Sequence, residues 1–157
     1  MLLGEQPGDQ EDLKGEPFVE PAGQLLDDAM RRSGGPREQV YLTKAVKHFK
    51  WEPPGKRRLH KTPGQQEVEA CAYWLEQELR EVGAHVIVTL GATALAVLLG
   101  RRAPLKAHIG RVTPYGNKLI VATYHPSYAL RQDDETARET TVAAIVDALE
   151  KARALSG

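Results

Sequence analysis

The stretch His85-Val86-Ile87-Val88-Thr89-Leu90 constrains the fold more than any other. It is an apolar run with no polar alternation, as expected of a central strand buried on both faces of a parallel sheet. Helices are expected on either side. From Gln65 to Val82, the residues Val68, Ala72, Leu75 and Leu79 recur on one helical face, and Gly91 leads into a short helix through Leu99. Further strands are expected at residues 1–5, Val40–Val46, Arg111–Thr113 and Lys118–Thr123, the last two flanking a turn at Pro114-Tyr115-Gly116-Asn117. Another helix begins near Pro21, a residue favoured in a first turn, with Leu25, Leu26 and Met30 as its stripe and Gly34-Gly35-Pro36 as its stop. A final amphipathic helix runs from Glu135 to about Ala154. Strands alternating with helices imply a parallel sheet covered on both faces, with ligands bound outside the carboxyl ends of its strands.

The length of 157 residues suits a single domain over 1–157. The abrupt start Met1-Leu2-Leu3-Gly4 reads as the tail of a buried strand, so a preceding segment is expected to be missing. Lys plus Arg and Asp plus Glu both number 21, and the overall balance announces neither a nucleic acid nor a membrane partner. The distribution says more. Residues 1–28 carry eight carboxylates against Lys14, whereas residues 44–61 carry seven Lys/Arg against Glu52, a concentrated basic face able to bind phosphate. Cys71 is the only cysteine, which excludes an internal disulfide and reads as cytoplasmic, and no apolar run is long enough to span a membrane.

Three polar loops, 5–20, 44–61 and 124–128, fall at strand ends and should converge on one site. Glu5 stands where strand becomes glycine-framed loop, suited to a base or charge stabiliser, and equally to a solvated acidic turn. Phe18 can stack on a base or cap the core. In Gly55-Lys56-Arg57-Arg58-Leu59-His60-Lys61-Thr62-Pro63, glycine and proline mark a loop rather than a helix or strand. Its adjacent cations call for an anion, or make a solvated basic loop. His125-Pro126-Ser127 opens toward a helix, where a histidine can donate to a developing oxyanion and helix amides can hold phosphate. His48 and Cys71 are possible metal ligands, though two donors do not complete a site and a packed Cys71 is the simpler reading.

Taken together, Gly4-Glu5-Gln6-Pro7-Gly8-Asp9-Gln10-Glu11-Asp12, Gly15-Glu16-Pro17-Phe18-Val19, Pro21-Ala22-Gly23, Val46-Lys47-His48-Phe49-Lys50, Gly91-Ala92-Thr93-Ala94 and His125-Pro126-Ser127 resemble the uracil-DNA glycosylase superfamily. Lys56-Arg57-Arg58-Leu59-His60-Lys61-Thr62-Pro63 is similar to the basic loop of its UdgX branch, relatives of the family 4 enzymes. The resemblance spans nearly the whole chain. It implies a three-layer α/β/α sandwich around a four-stranded parallel sheet, acting as a monomer on uracil-containing DNA, single-stranded above all. It also implies a flipped uracil held by Gln6, Phe18, Lys44 and His125, with His125 donating to O2 as the N-glycosidic bond breaks. His60 would then take C1′ covalently, Glu5 orienting it or accepting its proton, while neighbouring cations disfavour its protonated form. Lys56, Arg57, Arg58 and Ser127 would contact the DNA.

Three positions depart from the family pattern. An iron–sulfur cluster of the 4Fe-4S type is expected of the family, yet its N-terminal cysteine pair is missing here and only His48 and Cys71 match ligand positions. Glu20 stands where glycine is usual, and Lys44 where asparagine is usual. Lysine can donate to uracil O4 but cannot accept from N3–H. Three readings follow: a glycosylase captured through His60, a binding protein for uracil or abasic sites without chemistry, and an ordinary hydrolytic glycosylase.

Overall fold

The computed structural model describes residues 1–5, 21–35, 37–45, 51–52, 59–60, 65–99 and 104–157, with 51–52, 59–60, 65–70 and 72 described by backbone alone. In chain order its elements are β1 (Leu2–Gly4), α1 (Pro21–Arg32), β2 (Leu42–Lys44), β3 (Trp51–Glu52), β4 (Leu59–His60), α2 (Gln65–Val82), β5 (Val86–Leu90), α3 (Ala92–Leu99), α4 (Leu105–His108), β6 (Val112–Tyr115), β7 (Lys118–Thr123), α5 (Pro126–Leu130) and α6 (Glu135–Leu155). A short 3-10 turn, Arg37–Gln39, precedes β2.

The main sheet has the order β2-β1-β5-β7-β6. Its first four strands are mutually parallel, as expected, and pair Gly4 with Lys44, Leu3 with Thr89 and Leu90 with Thr123. The sheet exceeds the expected four strands because β6 adds an antiparallel edge. Tyr115 pairs with Lys118 across the two-residue turn Gly116-Asn117, and Gly116 takes φ 57. Two-residue hairpin turns favour positive φ. Pro114 thus belongs to a strand rather than a turn, at an edge where a missing N–H is tolerated.

Alternation along the short strands divides the core into two layers. Leu2, Val86, Val88 and Leu90 pack in one cluster with Leu26 and Met30 of α1 and Ile145 and Leu149 of α6. Leu3, Ile87 and Ile120 point the other way, toward Leu75 of α2 and Leu95 and Leu98 of α3. Leu3, Ile87, Ile120 and Leu95 are wholly buried, so truncating any one to alanine is worth about 2–5 kcal/mol. The result is helix, sheet, helix. At the end of α1, Gly35 N–H donates to Met30 O and Gly34 N–H to Arg31 O, with Gly34 at φ 82, the glycine stop that its sequence foretold.

The layering positions a crevice. The β1–β2 connection passes through α1 on one face, and the β2–β5 connection through α2 on the other. Between β1 and β5 the winding therefore reverses, and the loops leaving their carboxyl ends diverge. A second correction concerns the basic segment. His60 does not lie in plain loop: β3 and β4 form an antiparallel hairpin, with Trp51 opposite His60 and Glu52 opposite Leu59. Two-residue strands are too short to carry a hydrophobic period. Among the described residues, no helix is long and apolar enough to cross a membrane.

Candidate active site

Four chain segments meet at the carboxyl edge of the parallel strands. Lys44 closes β2, Glu5 follows β1, Gly91 follows β5, and His125 lies two residues beyond β7. Adjacent strands are about 4.8 Å apart, so Glu5 and His125, two strands apart, are separated by roughly 10 Å at the backbone, room for a small planar ligand. Glu5 is half-buried and Lys44 is only 6% exposed. An ammonium so placed is costly unless polar groups meet it. The Ala45 amide donates to Gly4 O at 2.8 Å, pinning the departure of the β2 connection against β1.

His125 is the most closely defined of these groups. It caps the N-terminus of α5, its Nδ1 accepting from Ser127 N–H at 3.1 Å. Ser127 Oγ lies 2.7 Å from the same nitrogen, and Arg131 donates to that oxygen at 3.1 Å. A ring nitrogen that accepts a backbone amide cannot carry a proton, so the neutral imidazole holds its proton on Nε2 and presents a donor there. Gly91 fits against this residue. Its amide donates to Thr123 O at 2.9 Å, its φ is 93, and a Cβ built on it would lie 3.2 Å from His125 Cβ. Tyr124 packs on the core and stacks with Tyr128, ring centroids 5.0 Å apart at 16°.

Helix α2 is anchored to β2 by one carboxylate. Glu78 Oε2 accepts from Tyr41 OH at 2.6 Å and from Thr43 Oγ1 at 2.7 Å. The hydrogen bond to Glu78, followed by burial, pushes the Tyr41 phenol up to about 12. This clamp ties the last turns of α2 to the start of β2. Strand β2 ends at the crevice edge, and α2 must begin there to return the chain to the opposite edge for β5.

The structure thus brings Glu5, Lys44 and His125 to one edge and places the His60 backbone in a hairpin of the adjoining connection. Gln6, Phe18, Glu20, His48, Lys56, Arg57 and Arg58 lie outside the described residues. Ser127, expected at the DNA, has both its hydroxyl and its amide within hydrogen-bond distance of His125 Nδ1. Arg131 was not foreseen as a site residue, although the Ser127–Arg131 spacing of four is the signal that would have found it. Cys71 is buried on the face of α2 that carries Leu75. Among the described residues no three His, Cys, Asp or Glu side chains are grouped so as to hold a metal ion. One described thiol does not fit the ligand set of a four-iron cluster, and no step is assigned to one.

An open α/β sheet with a switch point between β1 and β5, and a histidine donor one strand further along the same carboxyl edge, is the frame of a ligand-binding α/β enzyme. Residues 1–150 match the family model described as the uracil DNA glycosylase superfamily, and the chain belongs to that superfamily. It is similar to the type-4 uracil-DNA glycosylase of Thermotoga maritima, 36% identical over 155 residues that cover 98% of this chain and 75% of that protein. The type-4 uracil-DNA glycosylase of Pyrobaculum aerophilum is 40% identical over 141 residues, covering 84% and 68%. That of Saccharolobus solfataricus is 35% identical over 139 residues, covering 83% and 61%.

Proposed function

We propose that this chain excises uracil from DNA and is then captured covalently by the abasic sugar, in the manner of the UdgX branch. The uracil leaves with the electron pair of the N-glycosidic bond, and His125 Nε2–H donates to O2 as negative charge develops there. The oxocarbenium-like C1′ then takes the lone pair of a His60 ring nitrogen, and the proton on the other nitrogen passes to Glu5 or to solvent. Lys44 contacts the uracil edge as a donor. Gln6 and Phe18 complete the pocket, while Lys56, Arg57 and Arg58 hold the strand. The protein acts as a single-domain monomer in the cytoplasm, with a preference for single-stranded DNA.

The observation that carries this reading is the hydrogen bond from the Ser127 amide to His125 Nδ1 at 3.1 Å, from which a proton on Nε2 follows. A donor set in advance serves an anionic leaving group better than one that must be found during the reaction. A second reading, binding without chemistry, is favoured by the buried Lys44, which supplies donors only. The two differ in one experiment. A labelled single-stranded oligonucleotide with one uracil is incubated with the His60→Ala variant and then treated with hot alkali. Scission at the uracil position, abolished when His125→Ala is added, is expected. Intact DNA would leave only the binding reading.

A further inference from the structure

We infer that Arg131 is a positioning residue for uracil excision, acting on His125 through the Ser127 hydroxyl. This rests on the glycosylase reading for its functional consequence, but not for its structural one. Arg131 has only donors, so its contact at 3.1 Å commits a lone pair of Ser127 Oγ as the acceptor. The hydroxyl proton is then directed to His125 Nδ1, 2.7 Å away. Nδ1 already accepts the Ser127 amide and carries no proton, so the hydroxyl can only donate to it. The chain guanidinium → hydroxyl → imidazole is thus polarised in one direction.

That direction has a chemical effect. A cation at the head of the chain draws density from the ring through two hydrogen bonds and makes Nε2–H a stronger donor to a developing anion. The backbone amide alone fixes the tautomer; Arg131 adds strength to the donor it creates. The three groups come from one short segment, with His125 capping α5, Ser127 in its first turn and Arg131 at its C-cap, so the relay is built locally and needs no other part of the fold. Arg131 is exposed, so its replacement leaves the core intact.

The test is a double-mutant cycle read at saturating DNA in a single turnover, together with 15N spectra of histidine-labelled protein. Arg131→Met is expected to slow excision about three- to tenfold, less than the full effect of a charge-assisted hydrogen bond because Arg131 is exposed and acts through an intervening hydroxyl, and Arg131→Lys to restore most of the rate. In a Ser127→Ala background Arg131→Met should have no further effect. The His125 Nδ1 resonance should move downfield in Arg131→Met, toward an unbonded ring nitrogen. An equal slowing in the Ser127→Ala background would overturn the relay. A loss confined to DNA affinity would overturn it too, showing Arg131 to be a phosphate contact. If the wild type excises nothing, the glycosylase reading fails, and the spectrum alone decides: an unmoved Nδ1 resonance refutes the relay.

Discussion

Gly91→Ala isolates the packing between β5 and the histidine. Gly91 has φ 93, and an added Cβ would stand 3.2 Å from His125 Cβ, closer than ordinary van der Waals contact. Two penalties follow. Holding an alanine at positive φ costs about 1–2 kcal/mol, which in a chain of this size lowers Tm by roughly 2–8 °C. Relieving the contact moves His125 by a few tenths of an ångström. Since a 1 Å misplacement costs on the order of 10²-fold, this shift should slow single-turnover excision about three- to tenfold. Gly83→Ala is the control. Its φ is 66, and nothing lies within 4 Å of its Cβ position. It should lose stability by a similar backbone penalty while excising at the wild-type rate. Melting curves and rapid-quench excision assays on both variants settle the matter. Equal rates for the two variants would refute the claim that Gly91 seats His125.

Two further outcomes are expected. Lys44→Asn restores an acceptor for uracil N3–H and should raise the yield of covalent adduct; an unchanged or lower yield counts against Lys44 as the weak point of the pocket. The Tyr41 phenol is raised to about 12 from an ordinary value of 10. The folded chain therefore holds a proton that the unfolded chain releases above pH 10, so this contribution is fully present below pH 10 and lost as pH rises toward 12. Absorbance titration should find one late-ionising tyrosine, absent in Tyr41→Phe and returned toward 10 in Glu78→Gln.

The sheet was legible because β5 is buried on both faces and its residues carry that burial as an unbroken apolar run. The ends of α1 were legible through Pro21 and the glycine pair, each with a mechanism of its own. The hairpin β3–β4 was not, since two residues per strand make no period and Gly55 and Pro63 signal only a turn. Pro114 misled in the same way, reading as turn when an edge strand accommodates it. At the site, sequence supplied His125 and Ser127 as neighbours but not their bond. Histidine is an unusual helix cap beside Ser, Thr, Asp and Asn, so neither the capping nor the contact with Arg131 follows from composition. The gathering of Glu5, Lys44 and His125 at one edge followed from topology alone, because all three stand at carboxyl ends of parallel strands.

The most direct test concerns His60. A 5′-labelled single-stranded uracil oligonucleotide mixed with the wild-type protein should give, on a denaturing gel, a shifted band stable to heat and detergent. The band should vanish in His60→Ala, with a free abasic product in its place. A wild-type reaction that yields only free abasic DNA, or a band that persists in His60→Ala, would contradict capture through His60.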